Sequence, residues 1–473
     1  MSTPRRPTDV SDVLVIGAGA AGTMAAIAAR GAVDDRGEAT EVPGDAPSVR
    51  LLDGAPKIGL KILVSGGGRC NVTNEAVDER DYESDAPKVV RGTLRGFPPA
   101  AVRTFFASRG CPLYAEPLGK LFPTTDRARD VLATLLEATE RSGAALERDA
   151  RVVDVERDAD RFVARTDDGR EFPCRRLIVA TGGKSLPRTG SRGFGFELAA
   201  RLGHAVVAPL PALTPLFLGD DSPLASLAGV TVPATLSLVP RGAPPEQVGG
   251  RRFRPLARAA GSLLVTHRGA SGPAALDVSG AVGRALEDGT PVTLEADFVG
   301  LALGDSPWSP FRDARKPPGA SLPPAAGLRP VDEETFRAAF AALVASDPRR
   351  SLGVLVARLL PRSLGDALLR RGGLDPGAPP PEPSDPARAA RLHRALAHAD
   401  LRVVGTDGFD KAEVTAGGVP LRELHRTTLE SRLVPGLHFC GEVAHCTGRL
   451  GGFNFQWAWS SGFAAGRAAA RRP

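Results

Sequence analysis

The segment DVLVIGAGAAGTMAAIAAR, residues 12–30, constrains the fold of this chain more than any other. The run VLVI at 13–16 has the length and β-branched content of a strand, and TMAAIAARGA after the glycines is made of good helix formers. A strand handing over to a helix through G-A-G-A-A-G at 17–22 matches the dinucleotide-binding fingerprint. Gly17 permits the tight turn, Gly19 lets backbone approach a pyrophosphate, and Gly22 lets helix and strand pack closely. Ala20 and Ala21 open the helix, whose unpaired N–H groups and partial positive charge would face the phosphates. A glycine-rich turn that binds nothing is the alternative reading. Against it, a second strand VRLLD at 49–53 ends in Asp53, an acid able to accept hydrogen bonds from a ribose 2′-OH, which suits FAD or NAD rather than NADP. Asp53 lies 31 residues past Gly22, against about 20 in the usual spacing, and the polar, turn-rich loop 33–48 accounts for the excess. Asp53 could also cap a turn beside Gly54.

The 473 residues accommodate two or three domains, at roughly 100–200 residues each. With 42% hydrophobic and 24% charged residues the composition is that of a folded globular protein, not a disordered one. The net charge of +6 and the pI near 9.3 are compatible with a nucleic-acid partner, but basic and acidic residues intermingle along the whole chain. An arginine-rich solvated surface fits that distribution better, and no nucleic-acid partner is expected. There is no secretory signal in MSTPRRPTDVSDV and no apolar run long enough for a membrane span, so no membrane partner and a cytoplasmic location are expected. The five cysteines, at 70, 111, 174, 440 and 446, are an odd set without C-x-x-C, which argues against disulfides and a zinc knuckle. No H-E-x-x-H or spaced Cys/His set predicts a metal site.

Alternating segments at 151–155 and 160–165 and a strand at 176–181 form a β-meander feeding back into the first sheet. Short strands dominate 206–303, a Pro/Gly-rich linker follows at 304–330, and VDEETFRAAFAALVA places Phe336, Ala339, Phe340, Leu343 and Val344 on one helical face with Asp332 as N-cap. A second linker at 372–386 and another helix lead to a last strand-like run at 433–442. The fold class expected is α/β: a Rossmann-like domain, 1–205 and 405–473, interrupted by a β-rich subdomain, 206–303, and a helical subdomain, 331–404.

Further glycine-rich segments accompany the first. KILVSGGGRCNVTN at 61–74 supplies flexible backbone beside a cation and an amide, and ATGGKSLPRTGSRGFGFELA at 180–199 ends a strand on Thr-Gly-Gly. Together with GKLFPTTDRARDVL at 119–132, THRGASGPAALDVS at 266–279, EVTAGGVPL at 413–421, TLESRLVPGLHFCGEV at 428–443 and GGFNFQWAWSSG at 451–462, they resemble the BaiN/YhiN-like bacterial FAD flavoproteins over most of the chain. That resemblance implies FAD held by Gly17, Gly19 and Gly22 at the pyrophosphate and by Asp53 at the adenosine ribose. It implies Gly67, Arg69, Cys70 and Asn71 on the flavin side, Thr181 and Gly182 over the adenosine half, and Gly441 and Glu442 near the ribitol. Gly452, Phe453, Asn454 and Gln456 would face the isoalloxazine. One departure is evident: after GEV the family commonly has Leu-Asp-Val where this chain has Ala444, His445 and Cys446. His445 and Arg69 are the catalytic candidates, His445 as a proton donor or else a packed residue.

The activity so implied is flavin-mediated hydride transfer between NAD(P)H and a small organic substrate, in the manner of an ene-reductase. No second G-x-G-x-x-G in a strand–helix setting is present, so NAD(P)H would bind transiently. An amine oxidase using dioxygen and an RNA-associated flavoprotein are the alternatives.

Overall fold

A computed structural model describes residues 9–158, 160–242, 255–303, 330–382 and 384–471. The linker read at 304–330 lies, except for residue 330, outside the described residues. Two compact units form: Met1–Leu210 with Glu413–Pro473, and Pro211–Ala412.

In the first unit, β1 (Ser11–Ile16) runs into α1 (Ala20–Ala29), followed by β2 (Val49–Leu52), β3 (Ala145–Glu147), β4 (Val152–Asp158), β5 (Arg161–Thr166), β6 (Glu171–Val179), β7 (Leu437–Phe439) and α2 (Phe453–Ala469). The sheet order is β3-β2-β1-β6-β5-β4, with β7 also paired to β6. The long β6 serves two partners along one edge: Glu171–Cys174 pair antiparallel with β5, and Leu177–Val179 pair parallel with β7. Val13, Leu14 and Val15 are fully buried because a central parallel strand is covered on both faces, which is why this strand reads as an unbroken apolar run.

Register then decides where chemistry collects. Ile16 is level with Leu52 and with Val179, and Val179 is level with Phe439. The residues that follow these strands, Gly17, Asp53, Ala180 and Cys440, therefore leave the sheet at one common edge, the carboxyl edge where ligands of open α/β sheets bind. Helix α2 lies tightly on α1: a Cβ added at Gly462 would sit 2.4 Å from the Ala21 carbonyl oxygen, and one at Gly466 would sit 2.2 Å from that of Ala25. The Ala-rich α1 is thus the small-residue half of a close helix crossing.

In the second unit, seven strands pair antiparallel in the order Ala399–Asp400, Val292–Asp297, Thr231–Pro240, Ala257–Thr266, Gly269–Ser271, Leu216–Leu218, Val403–Thr406. Helix Pro273–Glu287 packs on this sheet, and Glu333–Ser346 begins at Asp332, whose side chain accepts from Thr335 N–H at 2.8 Å. Leu236, Leu263 and Leu294 of the strands share one apolar cluster with Phe336, Leu355, Leu364 and Leu396 of the helices. The β-rich and helical segments, separate in the sequence reading, are therefore built on a common core. Among the described residues no helix is long and apolar enough to cross a membrane.

Candidate functional site

The three fingerprint glycines meet different surroundings. Gly17 has φ +103°, and an added Cβ would lie 2.4 Å from the Ala180 carbonyl oxygen, so only glycine can turn there against the end of β6. At Gly22 an added Cβ would lie 1.8 Å from the Gly17 carbonyl oxygen. Gly19, the N-cap of α1, has nothing within 4 Å of its added Cβ. Two glycines thus shape the turn while the third leaves room beside the helix N-terminus, the arrangement a diphosphate needs. Asp53 accepts from Ala18 N–H at 2.7 Å and from Ala55 N–H at 2.8 Å. Its carboxylate both ties the turn to the end of β2 and caps its own loop, and each oxygen keeps acceptor capacity for a ribose hydroxyl.

The loop after Lys61 is strongly bent: Gly66, Gly67 and Gly68 all have positive φ, and so does Cys70. Gly67 has open space at its added Cβ. Cys70 faces inward, fully buried, and burial pushes its thiol up to about 12, so it is no thiolate nucleophile at neutral pH. Arg69 lies over the Phe122 ring at 4.1 Å, donates to Glu116 at 2.6 Å and has Asp126 at 3.6 Å. Tyr114 donates to Asp126, and that bond, with burial and Glu116 contributing, pushes its phenol up to about 12. Arg69 therefore belongs to a surface network with two carboxylates, which weakens its case as a catalytic cation.

Several residues assigned to the flavin side have side chains engaged inside the protein. Gln456 is completely buried; it donates to the Phe97 carbonyl at 2.8 Å and to Ser460 Oγ at 2.9 Å and accepts from Thr73 Oγ1 at 2.5 Å. Its side-chain amide thereby joins three segments of the chain. Asn454 grips Gly448 through both backbone groups, at 2.7 and 2.8 Å. Phe453 is fully buried, packed edge-on against Tyr82, and its carbonyl accepts from the Tyr82 hydroxyl. Asn71, with its amide turned to suit its neighbours, donates to the Thr73 carbonyl and accepts from Gly452 N–H at 3.1 Å, linking the Gly66–Gly68 loop to the start of α2. Gly452 itself, at φ +94°, would bring an added Cβ within 2.5 Å of the Thr73 backbone. What these residues do is hold the loop 65–74 and the α2 N-terminus together.

The sequence reading missed a polar network around Glu442. Lys61 Nζ donates to Glu442 Oε2 at 2.5 Å and to Ser185 Oγ at 2.6 Å, while Glu442 Oε1 accepts from Ser185 Oγ and from Thr415 N–H. Thr415 Oγ1 in turn accepts the Lys184 and Ser185 amides. Gly183 has no room for a side chain here, since its added Cβ would fall 2.3 Å from Thr415 Oγ1. Gly441 donates to Ser461 Oγ and accepts from Trp457 Nε1, which fastens the segment before Glu442 to α2. Gly182, at φ +71°, turns beside Ser191, and Thr181 Oγ1 is buried without a partner among the described residues. His445 donates its backbone N–H to Val419 and is buried, with its Nδ1 also unpartnered. Among the described residues no group of three His, Cys, Asp or Glu could hold a metal.

The open glycine turn and the acid at the β2 end fit an extended adenine dinucleotide. The sequence profile described as the HI0933-like protein Rossmann domain matches residues 11–468. A 3-dehydro-bile acid delta(4,6)-reductase of Clostridium scindens is 33% identical over 460 residues, 97% of this chain and 99% of that protein. A ribosomal RNA dihydrouridine synthase of Haemophilus influenzae is 31% identical, covering 98% of this chain and 99% of the relative. One of the same description from Escherichia coli is 33% identical, covering 96% of each.

Proposed function

We propose that this chain, which belongs to the HI0933-like Rossmann-domain family, reduces a carbon–carbon double bond conjugated to a carbonyl, with NADH or NADPH as the electron source. It is an FAD-dependent oxidoreductase, and bound FAD supplies a two-electron carrier that accepts and returns hydride. The residues of this chain would seat that cofactor: the Gly17–Gly22 turn and the α1 N-terminus at the diphosphate, Asp53 at the adenosine ribose, and Glu442, oriented by Lys61 and Ser185, toward the ribitol. The observation that carries the reading is that relatives matching over nearly the whole length are named for the same kind of change. A delta(4,6)-reductase acts on ring double bonds, and dihydrouridine is uridine with its ring double bond, conjugated to a carbonyl, saturated.

The substrate we propose first is a small organic enone. Uridine in ribosomal RNA is the second reading, favoured by the names of two of the relatives and compatible with the net charge of +6. The FAD-loaded protein mixed anaerobically with NADH or NADPH should lose its visible flavin band. Adding a 4-en-3-one steroid, or ribosomal RNA, should restore that band, and mass spectrometry should find two hydrogens added to whichever is the substrate. Reduction by an amine alone, followed by reoxidation with dioxygen, would replace this reading with an oxidase.

A further inference from the structure

The loop that follows β6 gathers positive charge that the fold holds in place and does not neutralise. Lys184, Arg188 and Arg192 lie within nine residues, and no acid occurs between Ala180 and Phe196; the next carboxylate, Glu197, stands a turn into the helix Phe194–Arg201. Arg188 and Arg192 are exposed, and no ion pair forms on any of the three cations among the described residues. Glu442, joined to the loop through Ser185, is matched by Lys61. The loop is also closed on itself. Thr415 Oγ1 accepts both the Lys184 and the Ser185 amides, a 3₁₀ turn over Pro187–Thr189 is fastened by Thr189 Oγ1 donating to the Leu186 carbonyl at 2.8 Å, and Gly190 turns at φ +105°. At Gly193 an added Cβ would meet the Lys184 side chain at 2.5 Å, so the two ends of the loop lie against each other and Arg188 and Arg192 leave one small arc.

We infer that Arg188 and Arg192 bind the 2′-phosphate of NADPH, an assignment that deepens the proposed function and rests on a nicotinamide nucleotide being the electron source. The loop leaves the sheet at the edge where Gly17 turns against Ala180, so it borders the cofactor side without belonging to the Gly17–Gly22 turn. A phosphate monoester carries about two negative charges at neutral pH, and guanidinium forks match its oxygens in pairs, which a lysine ammonium does not. NADH lacks that group, so a pair of unneutralised arginines separates the two donors by charge. Exposure fits a donor that must enter and leave at each turnover. Two arginines on one short arc suit a single compact dianion; an RNA backbone spreads its charge over many phosphates and is met by a longer basic stripe, whereas acids and bases intermingle along the rest of this chain.

The test titrates FAD-loaded wild type, Arg188→Gln, Arg192→Gln and the double variant with 2′,5′-ADP and with 5′-AMP by isothermal calorimetry, so that binding is read without turnover; circular dichroism and flavin absorbance check each protein. Each Arg→Gln change should cost about tenfold in affinity for 2′,5′-ADP, so wild type should prefer it over 5′-AMP by up to about a hundredfold and the double variant should hold the two alike. The preference should shrink as salt rises, because both arginines are exposed. Arg188→Lys and Arg192→Lys, which keep the charge without the fork, should fall between wild type and the Gln variants. Wild type that NADH reduces yet that binds the two nucleotides equally, or a double variant that keeps the wild-type preference, would overturn this assignment alone. A double variant that no longer retains FAD would put the arginines at the resident cofactor, and loss of ribosomal RNA binding with 2′,5′-ADP affinity unchanged would give the loop to RNA; either result overturns it. Wild type that neither NADH nor NADPH reduces would overturn the donor reading and this assignment with it.

Discussion

Replacing Gly19 and Gly22 separately by alanine should divide cofactor binding from folding within one six-residue turn. At Gly22 the new Cβ would lie 1.8 Å from the Gly17 carbonyl oxygen and 3.3 Å from the Ala180 Cβ. The first is backbone and cannot rotate away, so α1 must shift off β1. Overpacking of this kind costs about 1–3 kcal/mol and occasionally more; alanine recovers about 1 kcal/mol of helix propensity, and the contact is severe enough to expect a net loss near 2 kcal/mol. For a unit of this size that is roughly 4–8 °C in Tm. Gly19 is the opposite case: φ is −78° and the added Cβ meets nothing within 4 Å. The lost glycine cap and the reduced entropy of the unfolded chain are each a few tenths to about 1 kcal/mol and oppose one another, leaving Tm close to wild type. The methyl would instead occupy the space a diphosphate needs, and FAD affinity should fall at least about tenfold, or about 1.4 kcal/mol. Thermal unfolding of the FAD-stripped proteins and a fluorescence titration with FAD give the two readouts. A Gly19→Ala protein that binds FAD like wild type, or a Gly22→Ala protein as stable as wild type, would refute the division of labour.

The Lys61–Glu442 pair is largely buried, with side chains 27% and 18% exposed, so Lys61→Met should cost about 1–3 kcal/mol by leaving the carboxylate unmatched; adding Glu442→Gln should recover part of that in a double-mutant cycle of thermal stabilities. All five cysteines are buried and burial raises every thiol, Cys70 to about 12, so a thiol reagent near pH 8 should label none in the native protein and all five once it is unfolded. Burial pushes His438 down from 6.5 to about 4. Because the unfolded chain takes up that proton first, the stability this histidine contributes is present above pH 6.5 and is lost as the pH falls toward 4, by on the order of 3 kcal/mol. A His438→Gln protein should show a flatter fall of Tm across that window, and equal slopes would remove His438 as the cause.

The sequence alone determined the features that depend on neighbours in the chain. The apolar run 13–16, the glycine spacing 17–22 and the Asp332 cap each specify their conformation within a few residues, and the structure has β1, α1 and the Asp332 bond where those signals put them. Tertiary structure decided whatever depends on partners far along the chain. Lys61 and Glu442 stand 381 positions apart and Thr73 and Gln456 stand 383 apart, so no motif announces that the first pair forms a salt bridge or that the second is joined by a buried hydrogen bond. The close approach of Gly462 and Gly466 to α1 was equally hidden, since a glycine in a helix reveals its purpose only when the opposing carbonyl is in place. The physical reason is that periodicity and turn chemistry act through local backbone sterics, whereas the parallel pairing of β1, β6 and β7 fixes which distant loops share an edge, and only that shared edge tells a side chain whether it meets solvent, a ligand or another residue.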